Sequence, residues 1–245
     1  FAAAVLAGLS QHPRSIPSRF LYDAVGSALF EEITKLKEYY PTRTETRILE
    51  DSGAELGSCL GPGCMLVELG SGSSEKTRIL LRHLRQPHSY VPVDISREHL
   101  CDAATRIRSR FADLAVRPVC ANFMADFSLP PASTKPQKRV VFFPGSTIGN
   151  FGPDERRSLL SRVFRLCQPT GSFLIGFDLK KNRQILEQAY NDASGVTAAF
   201  NLNLLRRINR ELGADFDVGR FEHRAHYDEE HGRIEMHLVS RVEQW

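Results

Sequence analysis

The 245-residue sequence lacks cysteine pairs of the C-x-x-C type. Its five cysteines, Cys59, Cys64, Cys101, Cys120 and Cys167, are an odd number scattered through apolar surroundings. This distribution indicates neither a zinc site nor a redox motif, and we expect no bound metal. Because disulfides persist mainly in oxidising compartments, we expect reduced core thiols and a cytoplasmic protein.

Long hydrophobic runs and strong charge are also missing from the sequence. No apolar segment approaches the roughly 20 residues that a membrane-spanning helix needs, so no membrane association is predicted. The formal net charge is only +3, and no stretch interleaves aromatic with basic residues. These absences argue against a nucleic-acid partner. With 42% hydrophobic and 25% charged residues, the composition is typical of a globular protein.

A glycine turn stands between a predicted strand and a predicted helix in the stretch Leu66–Glu75, LVELGSGSSE. Such a unit opens nucleotide-binding βαβ folds, because glycine lets the backbone approach a ligand and the helix offers free N–H groups. The turn, Gly70-Ser71-Gly72, lacks the third glycine of the dinucleotide fingerprint, whose place Glu75 takes. With Glu68 it fits E-x-G-x-G, the S-adenosylmethionine (SAM) turn of class I methyltransferases. An ordinary tight turn is the alternative.

An acidic residue ends the next predicted strand. Asp94 closes the stretch Tyr90–Ile95 and lies 24 positions after Gly70. That spacing is close to the ~20 positions expected for a carboxylate that binds the ribose hydroxyls of a nucleotide. The alternative is that Asp94 caps the following helix together with Ser96. The two roles are compatible, and the glycine turn upstream favours the ribose contact.

Strands and helices alternate from Leu66 onwards. Strands are predicted at 65–69, 90–94, 116–120, 139–143 and 172–178, and helices at 75–84, 97–111 and 154–167. This alternation predicts a doubly wound α/β sheet, which binds ligands at the carboxyl ends of its strands. The sheet domain would comprise residues 58–180. Residues 1–57 and 181–245 would form a second, smaller α+β lobe, with helices at 28–37, 44–56 and 181–210 and a hairpin near 221–243.

Polar residues follow two of the predicted strands. The pair Asn122-Phe123 follows the third strand and suits adenine, with an amide for the ring edge and an aromatic for its face. The loop 144–150 follows the fourth strand, and a methyltransferase places its acceptor there. Its last residue, Asn150, has an amide that can both donate to and accept from an amino acid backbone. N-capping of the next helix is the alternative role for Asn150.

Three tyrosines, Tyr22, Tyr39 and Tyr40, bracket the helical segment near the N-terminus. Pro41 follows them and is expected to end that helix. Together the tyrosines could form a lid whose hydroxyls face a small polar substrate. For any one of them, simple packing is the alternative.

Long motifs resemble those of a known family. They read FLYDAVGSALFEEIT, EYYPTRTE, LVELGSGSSEKTRILL, FFPGSTIGN, AYNDASGVTAAFN and RIEMHL. Together they resemble the amino acid Nα-methyltransferases, whose best-known member trimethylates L-histidine in ergothioneine biosynthesis. The likeness extends from about Ser18 to Arg241. It implies a Rossmann-like class I methyltransferase sheet that binds SAM and releases S-adenosylhomocysteine (SAH), plus a substrate-binding lobe.

The resemblance also implies a role for particular residues. Cofactor binding falls to Gly70, Ser71, Gly72, Lys76, Asp94, Asn122 and Phe123, although the family usually has Asp where this chain has Asn122. Substrate binding falls to Tyr39, Gly145, Asn150, Tyr190 and Met236. Asn150 and Tyr190 would hold the carboxylate and amine of the amino acid, and Met236 would line the pocket. Tyr39 would reach the imidazole and Tyr22 would lie beside the reacting amine, which makes these two the catalytic candidates.

The expected activity is SAM-dependent methylation of the α-amino group of free L-histidine to give hercynine. Another amino acid, such as tryptophan or tyrosine, and a non-catalytic SAM-binding module are the alternatives. A monomer is expected. The relatives continue past RIEMHL with further side-chain contacts, so part of the substrate pocket and one sheet edge are expected to be missing from these 245 residues.

Overall fold

A computed structural model describes residues 1–131 and 134–243 of the chain. The described chain forms two compact units. One is continuous, Arg43–Asp178, and contains the glycine turn. The other joins residues 1–42 to residues from 179 onwards and contains the tyrosines at 22, 39 and 190.

The continuous unit is built on a parallel sheet. Its strands are β1 (Cys64–Leu69), β2 (Ser89–Asp94), β3 (Ala115–Val116), β4 (Val119–Cys120), β5 (Lys138–Phe143) and β6 (Ser172–Ile175). The strand order is β3-β2-β1-β5-β6, and β4 also pairs with β2. Its helices are α3 (Tyr40–Asp51, whose first residues belong to the other unit), α4 (Gly53–Leu60), α5 (Glu75–His83), α6 (Arg97–Arg110) and α7 (Pro153–Cys167). The chain order reverses at β1, which is where doubly wound sheets bind ligands.

The central strand β1 is buried along its whole length. Its side chains alternate between two apolar clusters, because successive residues of a strand point to opposite faces. Leu66 packs in a cluster with Leu80 of α5. Val67 packs on the other face with Leu159 of α7. Helices therefore cover both faces of the sheet, and the predicted Rossmann-like fold is confirmed.

Two predicted strands are shorter in the structure. The strand expected at 116–120 is split into β3 and β4, because Pro118 between them has no N–H to donate to a strand ladder. The strand expected at 172–178 ends at Ile175. At Gly176 the chain turns, and the backbone of this glycine bonds both Phe143 and Ser146.

The second unit combines helices with an antiparallel hairpin. Its elements are α1 (Ala2–Ser10), α2 (Ala24–Lys35), α8 (Arg183–Gln188), α9 (Val196–Leu212), β7 (Phe221–Asp228) and β8 (Arg233–Ser240). Helix α9 runs through its centre, where Phe200, Leu204 and Ile208 pack against Val5 and Ile33. The small antiparallel sheet matches the predicted hairpin. Among the described residues, no helix has both the length and the apolar surface that crossing a bilayer requires.

Local breaks in the helices differ partly from the prediction. Helix α2 ends at Lys35, and Pro41 lies in the first turn of α3 instead of ending a helix. A proline is tolerated there because its missing N–H would have no partner within the helix. The helix expected at 181–210 is divided in the structure into α8 and α9, and Gly195 lies between them. This glycine has a φ of 75° and precedes the first residue of α9.

Residues 43–57 were expected in the substrate lobe but lie in the unit with the sheet. The reason is apolar burial, since Leu49 of α3 and Leu60 of α4 belong to the same cluster as Leu66 and Leu80. Positions 244 and 245 of the predicted lobe lie outside the described residues. The assignment of substrate binding to this lobe stays a prediction.

Candidate functional site

The turn between β1 and α5 forms a backbone cradle. Gly70 and Gly72 have φ values of 70° and 48°, a left-handed conformation that glycine adopts without strain. The N–H of Gly70 donates to the carbonyl of Val93 at 2.8 Å, which ties the turn to the end of β2. A Cβ atom added at Gly70 would lie 3.4 Å from the ring of Phe123. The space beside this turn therefore depends on the absence of a side chain.

Two polar side chains face the same turn. The Ser71 hydroxyl is buried, and its Oγ has no hydrogen-bond partner in residues 1–131 or 134–243. Asp94 accepts hydrogen bonds from the N–H of Gly72 at 3.1 Å and from the N–H of Ser96 at 2.9 Å. Because a carboxylate has about four acceptor positions, Asp94 retains capacity for a ligand hydroxyl. The turn and the acid predicted to act together are adjacent in the structure.

The pair predicted to contact adenine lies after β4. Asn122 is exposed, and its Oδ1 accepts a hydrogen bond from the N–H of Met124 at 2.9 Å. That bond fixes the side chain and leaves its NH₂ group available as a donor. Phe123 meets Phe143 and Phe151 edge to face, at centroid distances of 5.6 and 6.2 Å. These contacts hold its ring beside the glycine turn.

Glu45 is a residue that the sequence prediction missed. Its carboxylate forms an ion pair with Lys76 and accepts from the N–H of Gly145 at 2.9 Å for each oxygen. Gly145 has a φ of 83°, and an added Cβ would lie 3.5 Å from Nζ of Lys76. Glu45 thus links the start of α5 to the loop after β5. Its position inside the motif EYYPTRTE was the one available signal, and no local pattern distinguished it.

Asn150 ends a short 3₁₀ turn, Thr147–Asn150, in the loop after β5. It is exposed, and within the described residues its side chain makes no hydrogen bond. The capping alternative for Asn150 is wrong, because α7 is preceded by Gly152, whose N–H donates to Glu155 at 3.0 Å. The Asn150 amide is therefore not used by the fold.

A buried acid, Glu68, lies on β1 two positions before the glycine turn. Glu68 of β1 is 2% exposed and accepts a hydrogen bond from the Tyr90 hydroxyl of β2. That hydroxyl also lies 2.8 Å from Oγ of Ser74, which has a left-handed φ just before α5. Burial raises the pKa of Glu68 to about 7, although the hydrogen bond from Tyr90 and the positive charge of Lys76 oppose the change. Burial and the neighbouring Glu68 raise the pKa of Tyr90 as well.

The second unit brings three predicted tyrosines together. Tyr39 and Tyr190 meet edge to face with ring centroids 5.7 Å apart. Tyr22 makes similar contacts with Phe30 and Phe200, each at 5.4 Å. Burial raises the pKa of Tyr22 well above its ordinary value, and the nearby Tyr190 raises it further. A phenol in this position is a neutral hydrogen-bonding group at physiological pH.

Polar contacts fix the surroundings of these tyrosines. The carbonyl of Tyr190 bonds Nε2 of His223 at 2.7 Å. Met236 of β8 packs in the same apolar cluster as Tyr22, Tyr39 and Tyr190. The neighbouring Tyr40 accepts a hydrogen bond from Nζ of Lys181 at 2.9 Å. Each predicted substrate side chain of this unit therefore belongs to one cluster.

A sequence model of the family described as histidine-specific, SAM-dependent methyltransferases matches residues 1–245. The chain belongs to this family. It is therefore a SAM-dependent methyltransferase, as the motifs predicted. Because the family is described as SAM-dependent, the residues around the glycine turn of the sheet unit are expected to fit SAM.

Named relatives of this methyltransferase agree with the family match. A histidine N-alpha-methyltransferase from Mycolicibacterium smegmatis is 45% identical over 243 residues, covering 98% of this chain and 74% of that protein. The protein of the same name from Mycobacterium tuberculosis is 44% identical over 237 residues, covering 96% and 73%. The ergothioneine biosynthesis protein 1 of Neurospora crassa is 34% identical over 233 residues, covering 90% and 26%.

The cradle of this methyltransferase fits SAM in its chemistry. The Oγ of Ser71 has no hydrogen-bond partner in the described part of the chain, and a ligand would satisfy this buried polar atom. The open side of Gly70 is space that a Cβ would occupy, directly beside an aromatic ring. The carboxylate of Asp94 lies at the same turn. A nucleoside can therefore lie close to the backbone at Gly70, with an aromatic ring for its base and a carboxylate for its ribose hydroxyls.

Proposed function

We propose that this methyltransferase transfers three methyl groups in succession to the α-amino group of free L-histidine, giving hercynine in ergothioneine biosynthesis. The observation that carries the proposal is the 45% identity over 243 residues with a protein named histidine N-alpha-methyltransferase. A family described as histidine-specific supports the same substrate. A cytoplasmic location and a monomeric state are further proposals from the sequence.

The proposal assigns cofactor binding to the sheet unit. Asp94 would accept hydrogen bonds from the ribose hydroxyls, since Gly72 and Ser96 already hold its carboxylate at the turn. Ser71 would donate or accept through its buried hydroxyl. Asn122 and Phe123 would contact adenine. When bound, SAM supplies a methyl group already activated by its positively charged sulfur.

Substrate binding is assigned to Asn150 and to the tyrosine cluster. Asn150 is suited to the carboxylate or amine of an amino acid because its amide makes no hydrogen bond within residues 1–131 and 134–243. Within the other unit, Tyr190 would bind the amino acid backbone, Tyr39 would reach the imidazole, and Met236 would lie near the side chain. Gly145 would leave room for the acceptor, since its positive φ excludes most side chains.

The α-amino group must be neutral to attack a methyl group. The α-amino group of a peptide has a pKa near ~8, and the adjacent carboxylate of a free amino acid raises it further, so the proposal requires that the ammonium lose a proton to solvent before the nitrogen attacks. Tyr22 would direct the nitrogen lone pair by hydrogen bonding. It would not act as a base, because burial raises its pKa and keeps the phenol protonated. The main contribution of these residues is to hold the reacting atoms in line at short distance.

Calorimetry tests the substrate assignment directly. In the presence of SAH, histidine should bind more tightly than each of the other nineteen standard amino acids, and mass spectrometry after turnover should detect trimethylated histidine. Tighter binding of tryptophan or tyrosine would assign the chain to another amino acid. Binding of SAH without any methylated product would identify a SAM-binding module and refute the proposed reaction.

Comparing variants of the adjacent residues Tyr39 and Tyr40 tests which tyrosine contacts the imidazole of histidine. Tyr39→Phe should raise the KM for histidine more than Tyr40→Phe does, because the proposal places the Tyr39 hydroxyl at the imidazole. Each variant removes one oxygen atom, so the pair is matched in size. A larger effect at Tyr40 would move the imidazole contact to that residue and leave the proposed reaction intact.

A further inference from the structure

Three metal-ligating side chains share one face of the hairpin β7–β8. Glu235 and His237 are two positions apart on β8, so they point to the same side of the strand. His226 of β7 lies directly opposite Glu235 in the antiparallel register. Directly opposed residues have Cβ atoms about 5 Å apart, within reach of a common ion. This trio plays no part in the proposed methyl transfer.

The ligand atoms already converge in the structure. One atom from each of His226, Glu235 and His237 lies within 4.8 Å of the others. Oε2 of Glu235 is 3.1 Å from Nε2 of His237 and 3.9 Å from Nε2 of His226. Ligands of one tetrahedral zinc ion are roughly 3.3 Å apart, given metal–ligand distances near 2.0–2.1 Å. Small side-chain rotations are therefore enough to bring all three onto one ion.

The two imidazoles are stacked and accessible. Their centroids are 4.8 Å apart with an interplanar angle of 28°. The side chains of His226 and His237 are 47% and 45% exposed, so an ion can reach them from solvent. Two imidazole rings in this arrangement present their Nε2 atoms to the same carboxylate oxygen.

The neighbouring cations are already paired. Arg233 binds Oε1 of Glu235, with Nε at 2.8 Å, and this contact turns Oε2 towards the histidines. Arg224, opposite His237 in the register, is paired with Glu222. Apart from Glu235 itself, Asp228 lies 3.8 Å from Nε of Arg233 and Glu222 pairs with Arg224, so other carboxylates offset both guanidinium charges and lower their repulsion of a bound cation.

We propose that His226, Glu235 and His237 bind a divalent transition-metal ion, with zinc as the best match. Two imidazole nitrogens and one carboxylate oxygen form a donor set that zinc accepts, and three protein ligands leave a coordination position for water or another group. A bound ion would join β7 to β8. The opposite face of β8 carries Met236, which packs in the tyrosine cluster, so the ion would stiffen the strand that holds this residue.

The experiment uses the untagged full chain and zinc chloride in a buffer that does not chelate metals. Calorimetry should detect one zinc equivalent, and cobalt(II) at the same site should give visible absorption bands. The double variant His226→Gln/His237→Gln should lose the equivalent, and Glu235→Gln should weaken it at least ~10-fold, which corresponds to about 1.4 kcal/mol. His231→Gln is the matched control, because His231 lies on the same hairpin but pairs with Asp228.

Fold integrity is checked by SAH binding, which the sheet unit should retain in every variant. Failure of the unmodified protein to bind one equivalent would overturn the proposal. So would equal binding by the double variant, or loss of binding on His231→Gln. Glu235→Gln provides a second test that leaves both imidazoles in place. None of these readouts depends on which amino acid the enzyme methylates.

Discussion

At the scale of single residues, polar side chains divide into those that the fold employs and those that it leaves for a ligand. Asp192 accepts three hydrogen bonds from its own neighbours, whereas Asn150 makes none among the described residues. Asp94 combines both properties, because its carboxylate accepts from two backbone N–H groups and can still accept a hydrogen bond from a ligand. Substitutions at Asn150 and Asp94 should therefore have different consequences.

Asp94→Ala should weaken SAH binding by roughly 1–3 kcal/mol, the scale of lost hydrogen bonds to a charged group. Asp94→Asn keeps one acceptor oxygen for the backbone and should lose less. Asp102→Ala, an exposed acid on α6, is the control and should bind SAH as the parent does. Calorimetric titration measures all three. Unchanged affinity in Asp94→Ala would remove the ribose contact from the proposed site.

Asn150→Ala should abolish detectable histidine binding in the presence of SAH and leave SAH affinity within about twofold. The reason is that a charged group of the bound amino acid would lose its hydrogen-bond partner, which weakens the free energy of binding by about 2–5 kcal/mol. Asp154→Asn, an exposed acid at the start of α7, serves as the control. Equal loss of both ligands would show that Asn150 belongs to the cofactor site or maintains its loop.

At the scale of secondary-structure elements, helix α9 depends on a side chain placed before its first turn. The Asp192 carboxylate accepts from the N–H groups of Val196 and Thr197 at 2.9 and 2.8 Å and from the Ser194 hydroxyl at 2.7 Å. Burial opposes ionisation, but hydrogen bonds from Ser194 and Thr197 outweigh it and lower the pKa of Asp192. A lowered pKa in the folded state means stabilisation that is present above the unfolded pKa and lost as the pH falls.

Asp192→Ala should lower the free energy of unfolding by roughly 2 kcal/mol at pH 7, the upper end of measured cap effects. The variant's deficit should begin to shrink below about pH 4 and continue to shrink as the pH falls further, because the unfolded parent chain then takes up a proton that the folded Asp192 carboxylate does not bind. Urea unfolding at several pH values measures both effects. Asp215→Ala removes an exposed acid after the same helix and should change stability little. A deficit independent of pH would argue against a charged cap.

At the scale of the whole molecule, one buried acid imposes a pH dependence on stability. The pKa of Glu68 is raised to about 7 by burial, so the folded protein retains a proton that the unfolded chain releases near pH 4.5. Stability should therefore decrease as the pH rises from about 4.5 to 7 and level off above that range. The effect is of order 3 kcal/mol, from about 1.4 kcal/mol per pKa unit.

Glu68→Gln should remove this slope and make the protein more stable than the parent at pH 8, because a neutral amide does not need to lose a proton in the core. Its oxygen can still accept from Tyr90, which bonds Glu68 in the parent. Glu55→Gln, at an exposed position of α4, is the control. Equal slopes for parent and Glu68→Gln would assign the pH dependence to another group.

Much of this fold could be predicted because local pattern and tertiary structure agree in the sheet unit. The apolar run of β1 and the glycines after it produced the correct strand, turn and helix, and Asp94 was placed at that turn. Two prolines were exceptions: Pro118 divides a predicted strand, and Pro41 lies in the first turn of a helix that it was expected to precede. The effect of a proline depends on whether the surrounding structure needs the N–H that it lacks.

Contacts between distant positions could not be predicted in the same way. Glu45 reaches Gly145 across 100 positions, and nothing in the residues around Glu45 indicates that partner. The convergence of Tyr22, Tyr39 and Tyr190 likewise depends on how α9 packs in its unit. The family resemblance selected these tyrosines, whereas the sequence around any one of them favoured simple packing.

Because the Asn150 amide makes no hydrogen bond among the described residues, substitutions at this position should change stability little. Its loop begins beyond a buried strand and ends before a helix that has its own start signal in Gly152 and Glu155. Libraries at Asn150 can therefore explore new acceptor amines while melting temperature stays near that of the parent. Selectivity in this scaffold should be open to redesign by directed evolution without prior stabilisation, in contrast to positions such as Asp192.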